Sequence, residues 1–98
     1  MKLKILFVLL TFAAFMMRAG EPTRILLVTG VDYPGHKWRE TAPTLKRILE
    51  EDKRLDVRIV EDPQFLDSAS LTNYSAVVLH FQNWQMPGPG AGARENLR

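Results

Sequence analysis

The strongest constraint on the fold of this chain is a continuous apolar run that stops at Gly30. Residues 24–29 contain four consecutive apolar side chains. A continuous run, rather than an alternating one, is typical of a parallel strand covered on both faces. Gly30 and the pair Pro34-Gly35 indicate a loop, and a helical pattern follows. Strand, polar loop and helix form the opening unit of open α/β folds, whose ligands bind where the strands end.

The helix after this loop is indicated by four apolar residues that share one helical face, namely Trp38, Ala42, Leu45 and Leu49. Pro43 limits where the regular helix begins, because proline is tolerated in the first turn and disrupts the interior. We therefore expect Thr41 to be the N-cap and the helix to end near residue 51. Trp38 is expected to pack in the core.

Two further strands are predicted downstream. Residues 55–60 alternate apolar and polar side chains, which suits a half-covered edge strand, and residues 74–81 are apolar at their centre. A polar connection separates them, and a Pro/Gly-rich loop over 82–90 leads to a further helical start. Right-handed crossovers then favour a parallel sheet in the flavodoxin-like order 2-1-3. Its ligand crevice would open above the ends of strands 1 and 3.

The first 20 residues have the plan of a secretory signal peptide. Lys2 and Lys4 precede an apolar run over residues 5–17, and Ala19 suits the last position before a cut. The run is short for a membrane span, which needs about 20 apolar residues. Met17 is large for the position two residues before Ala19, where cleavage sites have small side chains. An uncleaved membrane anchor is therefore the alternative. The sequence thus predicts a secreted or periplasmic protein with its domain over residues 21–98.

Composition excludes several classes of function. Without Lys2, Lys4 and Arg18 the chain carries 10 basic and 11 acidic residues, so the basic balance of the whole comes from the leader. This is not the footprint of a nucleic-acid binder. The absence of cysteine rules out disulfides, thiolate metal sites and a cysteine nucleophile in this sequence. About 79 residues make a marginal domain, and we expect them to be the N-terminal part of a larger one.

Beyond these general features, the sequence resembles the N-terminus of ThuA-like (trehalose utilisation) domains. The resemblance is carried by residues 25–30, by residues 36–43, by residues 57–61, and by residues 74–80 with Asn83 and Trp84 after them. It covers nearly all of the chain after the leader, and it depends on order and spacing more than on any single motif.

The resemblance implies a three-layer sandwich of the class I glutamine-amidotransferase-like type, which is related to flavodoxin. It also implies a link to carbohydrate utilisation, and export is common among similar members. The family's later Gly-rich segment and the amidotransferase cysteine elbow have no counterpart in these 98 residues. No amidotransferase activity is therefore predicted.

The candidate site residues lie in the two loops that should meet at the crevice. His36 and His80 are the candidate catalytic groups, since a histidine there can act as general acid or base. For both, a purely structural role is the alternative, in which the ring hydrogen-bonds to backbone. Candidate ligand-binding residues are Asp32, Asn83, Trp84 and Gln85. An aromatic ring among amides suits a polyhydroxylated ligand.

The sequence lacks the spacing of a metal site and that of a nucleotide-binding loop. Asp32, the two histidines and the pair Glu61-Asp62 are a mixed set of metal-binding side chains, but no pair has the spacing of a known metal motif. The loop glycines match neither the dinucleotide fingerprint nor the P-loop. No metal and no cofactor are predicted.

The sequence therefore predicts an exported ThuA-like protein that binds or acts on a carbohydrate-derived small molecule. Two alternatives stay open. One is a non-catalytic module for sugar binding or protein docking within a larger exported protein, and the other is an inactive fragment. No nucleic-acid partner is expected, and membrane contact is expected only through the leader during export.

Overall fold

The computed structural model describes residues 20–83 and 88–98. Its strands are β1 (Thr23–Val28), β2 (Leu55–Val60) and β3 (Ala76–Leu79), and its helices are α1 (Trp38–Leu49) and α2 (Ala91–Asn96). Two 3₁₀ turns, Pro63–Asp67 and Ala69–Asn73, connect β2 to β3. The predicted order of elements is confirmed. The predicted leader, apart from Gly20, lies outside the described residues.

The three strands form a parallel sheet in the order β2-β1-β3. Ile25 of β1 faces Val57 of β2 on one side and Ala76 of β3 on the other. The α/β class and the predicted order 2-1-3 are therefore confirmed, and the arrangement is compatible with a flavodoxin-like fold. Because β1 has a neighbour on each side, its main chain is paired along both edges, and it forms the centre of the core.

The side chains of β1 divide the core into two layers because successive residues of a strand point to opposite faces. Ile25 and Leu27 pack with Ala42 of α1. Leu26 and Val28 pack on the other face with two residues of the 3₁₀ turns and one of α2, namely Leu66, Leu71 and Ala93. The continuous apolar run of β1 is thus explained by cover on both faces.

The start of α1 differs from the prediction. The helix begins at Trp38, with Lys37 as its N-cap, and Pro43 lies inside it. Proline removes one hydrogen bond to the carbonyl four residues earlier, and two hydroxyls bond to neighbouring carbonyls in the same stretch. Thr41 donates to Lys37 O at 3.2 Å and Thr44 donates to Glu40 O at 3.0 Å. Thr41 is therefore a helix residue rather than the cap.

Burial matches the predicted roles of α1 and β2. Trp38 is 5% exposed and belongs to the core, as predicted. β2 lies at one edge of the sheet with Val57 buried and Arg58 exposed, as an alternating edge strand should be. β3 is shorter than predicted, and its Leu79 is 54% exposed. In the part of the chain that is described, no helix has the length and apolar character needed to cross a membrane.

Candidate functional site

The two histidines meet at the carboxyl edge of the sheet. His80 follows β3, and its backbone N–H donates to Val28 O of β1 at 2.8 Å, which continues the strand pairing. His36 lies in the loop after β1, where its N–H donates to Tyr33 O at 2.9 Å and closes a turn. The two Nε2 atoms are 3.2 Å apart, and the ring centroids are 4.5 Å apart. Residues 44 positions apart in sequence thus form one pair.

Two threonine hydroxyls complete the cluster. Thr29 is fully buried at the end of β1, and its Oγ1 lies 3.0 Å from His80 Nδ1. Thr41 Oγ1 lies 3.2 Å from His80 Nε2 and 3.4 Å from His36 Nε2. The early start of α1 makes this possible, because Thr41 then stands in the helical turn that faces the pair. We call His36, His80, Thr29 and Thr41 the histidine cluster.

The sequence-based prediction missed both threonines. Thr29 carried a usable signal, since it is the one polar residue at the end of a run that is otherwise continuously apolar. A buried hydroxyl at a strand end needs a partner, and the loops at that edge supply one. For Thr41 the sequence predicts only a role as helix cap. Its contact with the histidines depends on where α1 begins, and Pro43 leads the sequence to predict a start too late in the chain.

Burial lowers the pKa of His80 below its usual value of 6.5, and the neighbouring His36 ring lowers it further, while a backbone hydrogen bond partly opposes both. His80 is therefore held neutral near pH 7. A neutral imidazole has one donor and one acceptor nitrogen. Thr29 contacts Nδ1 of His80 and His36 contacts its Nε2, so both ring nitrogens have partners within the cluster.

Asp32 has a different set of contacts. Its Oδ1 accepts hydrogen bonds from Trp38 Nε1 and from an Arg39 guanidinium nitrogen, both at 2.9 Å. These bonds, led by that of Trp38, lower the pKa of Asp32. The Arg39 guanidinium also lies over the Trp38 ring, 4.2 Å from its centroid. The contacts of Asp32 thus fasten the loop to the start of α1 rather than reaching the histidines.

The histidine cluster lies between two open cavities. His36 lines one of about 450 Å³ together with Asp32, Tyr33 and Lys37. His80 and Thr41 line another of about 480 Å³. Both histidines are half-buried, so a small ligand can reach them from solvent.

The remaining predicted residues do not join the cluster in the described part of the chain. Asn83 is exposed beside Gly88 and lines a separate cavity of about 780 Å³ that neither histidine borders. Trp84 and Gln85 lie outside the described residues. Asp62 caps a 3₁₀ turn by accepting from Gln64 N–H at 2.9 Å. Within residues 20–83 and 88–98, no three His, Asp or Glu side chains come close enough together to hold a metal ion.

Comparisons with protein-family models, with curated proteins and with solved structures found no match to this chain.

Proposed function

We propose that this chain is an exported ThuA-like protein that binds and acts on a carbohydrate-derived small molecule at the carboxyl edge of its sheet. The observation that carries the proposal is the 3.2 Å approach of His36 and His80 at the ends of β1 and β3. Open α/β folds bind ligands at this edge, where the strand order changes direction. The sequence resemblance supplies the ligand class.

The chemistry that fits the cluster is general acid–base catalysis. One ring, in its neutral form, accepts the proton of an attacking hydroxyl or water as the new C–O bond forms, and the other ring, in its protonated form, donates a proton to the leaving oxygen as the old C–O bond breaks. Transfer of a proton across the 3.2 Å contact between the rings then restores the pair. Thr29 fixes the orientation of His80 from beneath, since its hydroxyl is buried and lies 3.0 Å from Nδ1. Lys37 and Asp32 border the cavity beside His36, where they provide charged partners for ligand hydroxyls.

The test is a titration of the full chain with trehalose and a panel of other disaccharides. The NMR signals of the histidine rings are the readout. We expect both histidines to respond to the same sugar, and His36→Gln to weaken its binding about tenfold or more. Asp56→Asn is the matched control, because Asp56 is exposed near the opposite end of β2. Equal sugar affinity in His36→Gln and the parent chain would reject the site.

Binding without chemistry is the second candidate function. It is favoured by the mutual contact of the two rings, which uses the Nε2 atoms that a catalytic pair must present to its substrate. Product analysis separates the two functions: a sugar that shifts both histidine signals and is recovered unchanged after prolonged incubation supports the binding module.

Export is tested separately from ligand binding. Residues 1–20 fused to a reporter enzyme that is active only outside the cytoplasm should yield activity, because the positive n-region and apolar run direct secretion. Replacing Lys2 and Lys4 by glutamate should lower that activity. After cell fractionation, reporter activity that stays with the membrane would favour an uncleaved anchor instead of a cleaved leader.

A further inference from the structure

The two edges of the sheet differ in how their main chain is protected. On β2, Glu50 and Lys46 bond both main-chain polar groups of Val57. β3 is the opposite edge strand, and among residues 20–83 and 88–98 no hydrogen bond joins its outer side to another segment. Charged side chains are a common guard of such an edge, and Ala76–Leu79 has none. The edge of β3 is therefore open to another strand.

The main-chain groups that face outward belong to alternate residues of β3. His80 N–H donates to Val28 O of β1 at 2.8 Å, and in a parallel sheet every second residue of a strand points its N–H and C=O to the same neighbour. Val78 therefore faces β1 as His80 does, while Val77 and Leu79 present their main-chain groups outward. Two N–H donors and two C=O acceptors are thus left for an added strand.

An apolar patch lies directly beside this open edge. Leu79 is 54% exposed, and Leu97, just after α2, is 45% exposed. Both line the cavity of about 780 Å³, together with the half-buried Phe81. An added strand that carried charged side chains would bury them against this patch at a cost. The partner that fits the edge is thus an extended, uncharged strand with apolar side chains.

We propose that the open edge of β3 pairs with β3 of a second copy of this chain, in an antiparallel dimer with one continuous sheet. Of the three strands in the described part of the chain, β3 alone has no charged residue, whereas β1 carries Arg24 and β2 carries Asp56 and Arg58. Two copies of β3 therefore meet without like-charge repulsion, and each offers the other the same donors and acceptors. Such a self-complementary contact closes on itself with two-fold symmetry.

The symmetry determines the register of the pair. Residues opposite each other in an antiparallel pair share one face of the sheet, so a two-fold axis at Val78 matches Val78 with its own copy and Val77 with Leu79. This register keeps both outward residues within the paired strands, where they exchange hydrogen bonds. Because β3 runs in opposite directions in the two copies, the two histidine clusters lie at opposite ends of the joined edge. The contact is short, so we expect a weak dimer, with less than about 1,200 Å² of buried surface.

The first test is the mass of the full chain, measured by analytical ultracentrifugation up to millimolar concentration. We expect a reversible dimer, and Leu79→Lys should weaken it about tenfold or more, because a charged edge residue opposes strand addition. Ile48→Lys is the matched control, since Ile48 is 50% exposed and lies on α1 rather than on a strand edge. Association through the apolar residues 5–17 would be the same in both variants.

Two results of this test would overturn the proposal. One is equal dimerisation of Leu79→Lys and Ile48→Lys. The other is a parent chain that stays monomeric. A monomer in which the Leu79 amide is nevertheless protected from hydrogen exchange would show that a segment of the same chain covers the edge instead.

The second test is a cross-link at the symmetry axis. The sequence has no cysteine, so Val78→Cys adds a single thiol to each chain. An antiparallel pair of residues that do not bond to each other has Cα atoms about 4.5 Å apart, within the range that a disulfide spans. Val78→Cys should therefore cross-link under mild oxidation much faster than Ile48→Cys, its control. Cross-linking at the same rate in both would contradict the proposed pairing. Neither test involves a sugar, so the outcome is independent of the proposed function.

Discussion

At the scale of single residues, Gly30 determines how the loop leaves β1. Its φ is 117°, and a Cβ at this position would lie 2.2 Å from the carbonyl oxygen of Glu61. The main chain of the first loop therefore passes directly against the end of β2. Only glycine adopts this conformation at low cost and leaves room for that approach. The position of His36 depends on this exit path.

We expect Gly30→Ala to destabilise the protein by about 2–4 kcal/mol, because it combines a strained φ with a collision against main chain. Urea unfolding followed by circular dichroism measures the loss. Gly92→Ala is the matched control, since the added Cβ would meet only the Asp67 carboxylate, a side chain that can rotate. Similar losses in both variants would contradict this account of Gly30.

The titration of His80 is a second prediction at this scale. Its ring should titrate below 6.5, because burial and the His36 ring disfavour the imidazolium. Below pH 6.5 the unfolded chain then binds protons that folded His80 does not, so stability falls as pH drops towards the folded pKa. NMR of the ring protons measures the pKa. A value above 6.5 would show that the pair holds a shared proton instead.

At the scale of secondary-structure elements, α1 shields the outer edge of β2. The backbone N–H of Val57 donates to Glu50 Oε2 at 3.0 Å, and Lys46 Nζ donates to the carbonyl of Val57. Lys46 and Glu50 also form an ion pair at 3.0 Å. An edge strand with unpaired main-chain groups is a template for association with other chains. Lys46 of α1 and the C-cap residue Glu50 thus bond both main-chain polar groups of Val57 at the exposed edge.

Removal of this shield should be visible in solution. Glu50→Ala should lower the melting temperature and increase association with rising protein concentration, measured by analytical ultracentrifugation. The bond from Val57 N–H, followed by that from Lys46, lowers the pKa of Glu50 below its usual 4.5. Its contribution is therefore present above pH 4.5 and lost as the pH falls through the lower folded value. Glu51→Ala, at an exposed neighbour, should have neither effect.

At the scale of the whole molecule, stability depends on the central strand that both halves of the core share. Leu26 and Leu27 are fully buried on opposite faces of β1. A domain of this size has about 5–10 kcal/mol of stability in total. Each face therefore holds a large part of it, and neither α1 nor the 3₁₀ turns with α2 can be undocked without exposing β1.

We expect Leu26→Ala and Leu27→Ala each to cost about 2–5 kcal/mol, because each leaves a cavity in a fully buried layer. Chemical unfolding gives the two values. Ile48→Ala is the control, since Ile48 is 50% exposed and should cost much less. A large loss from only one of the two leucines would show that a single face carries the fold.

Much of this fold was predictable because its signals are local. The unbroken run of β1 and the alternation of β2 follow from how many faces of each strand are covered. The order 2-1-3 follows from the handedness of crossovers. The prediction is wrong at the start of α1, because Pro43 lies inside the helix and the hydroxyls of Thr41 and Thr44 bond to carbonyls of the same stretch. The ThuA-like relationship stays a prediction from the sequence.

The sequence by itself determined the elements, their order and the two loops that hold the histidines, since each depends on residues close together in the chain. Only the tertiary structure decided which polar atoms meet. It places His36 Nε2 3.2 Å from His80 Nε2, with the hydroxyls of Thr29 and Thr41 beside them. Asp32 instead accepts a hydrogen bond from Trp38. Distances between such atoms depend on the path of each loop and on the first residue of α1. The hydrophobic periodicity of the sequence determines neither of these.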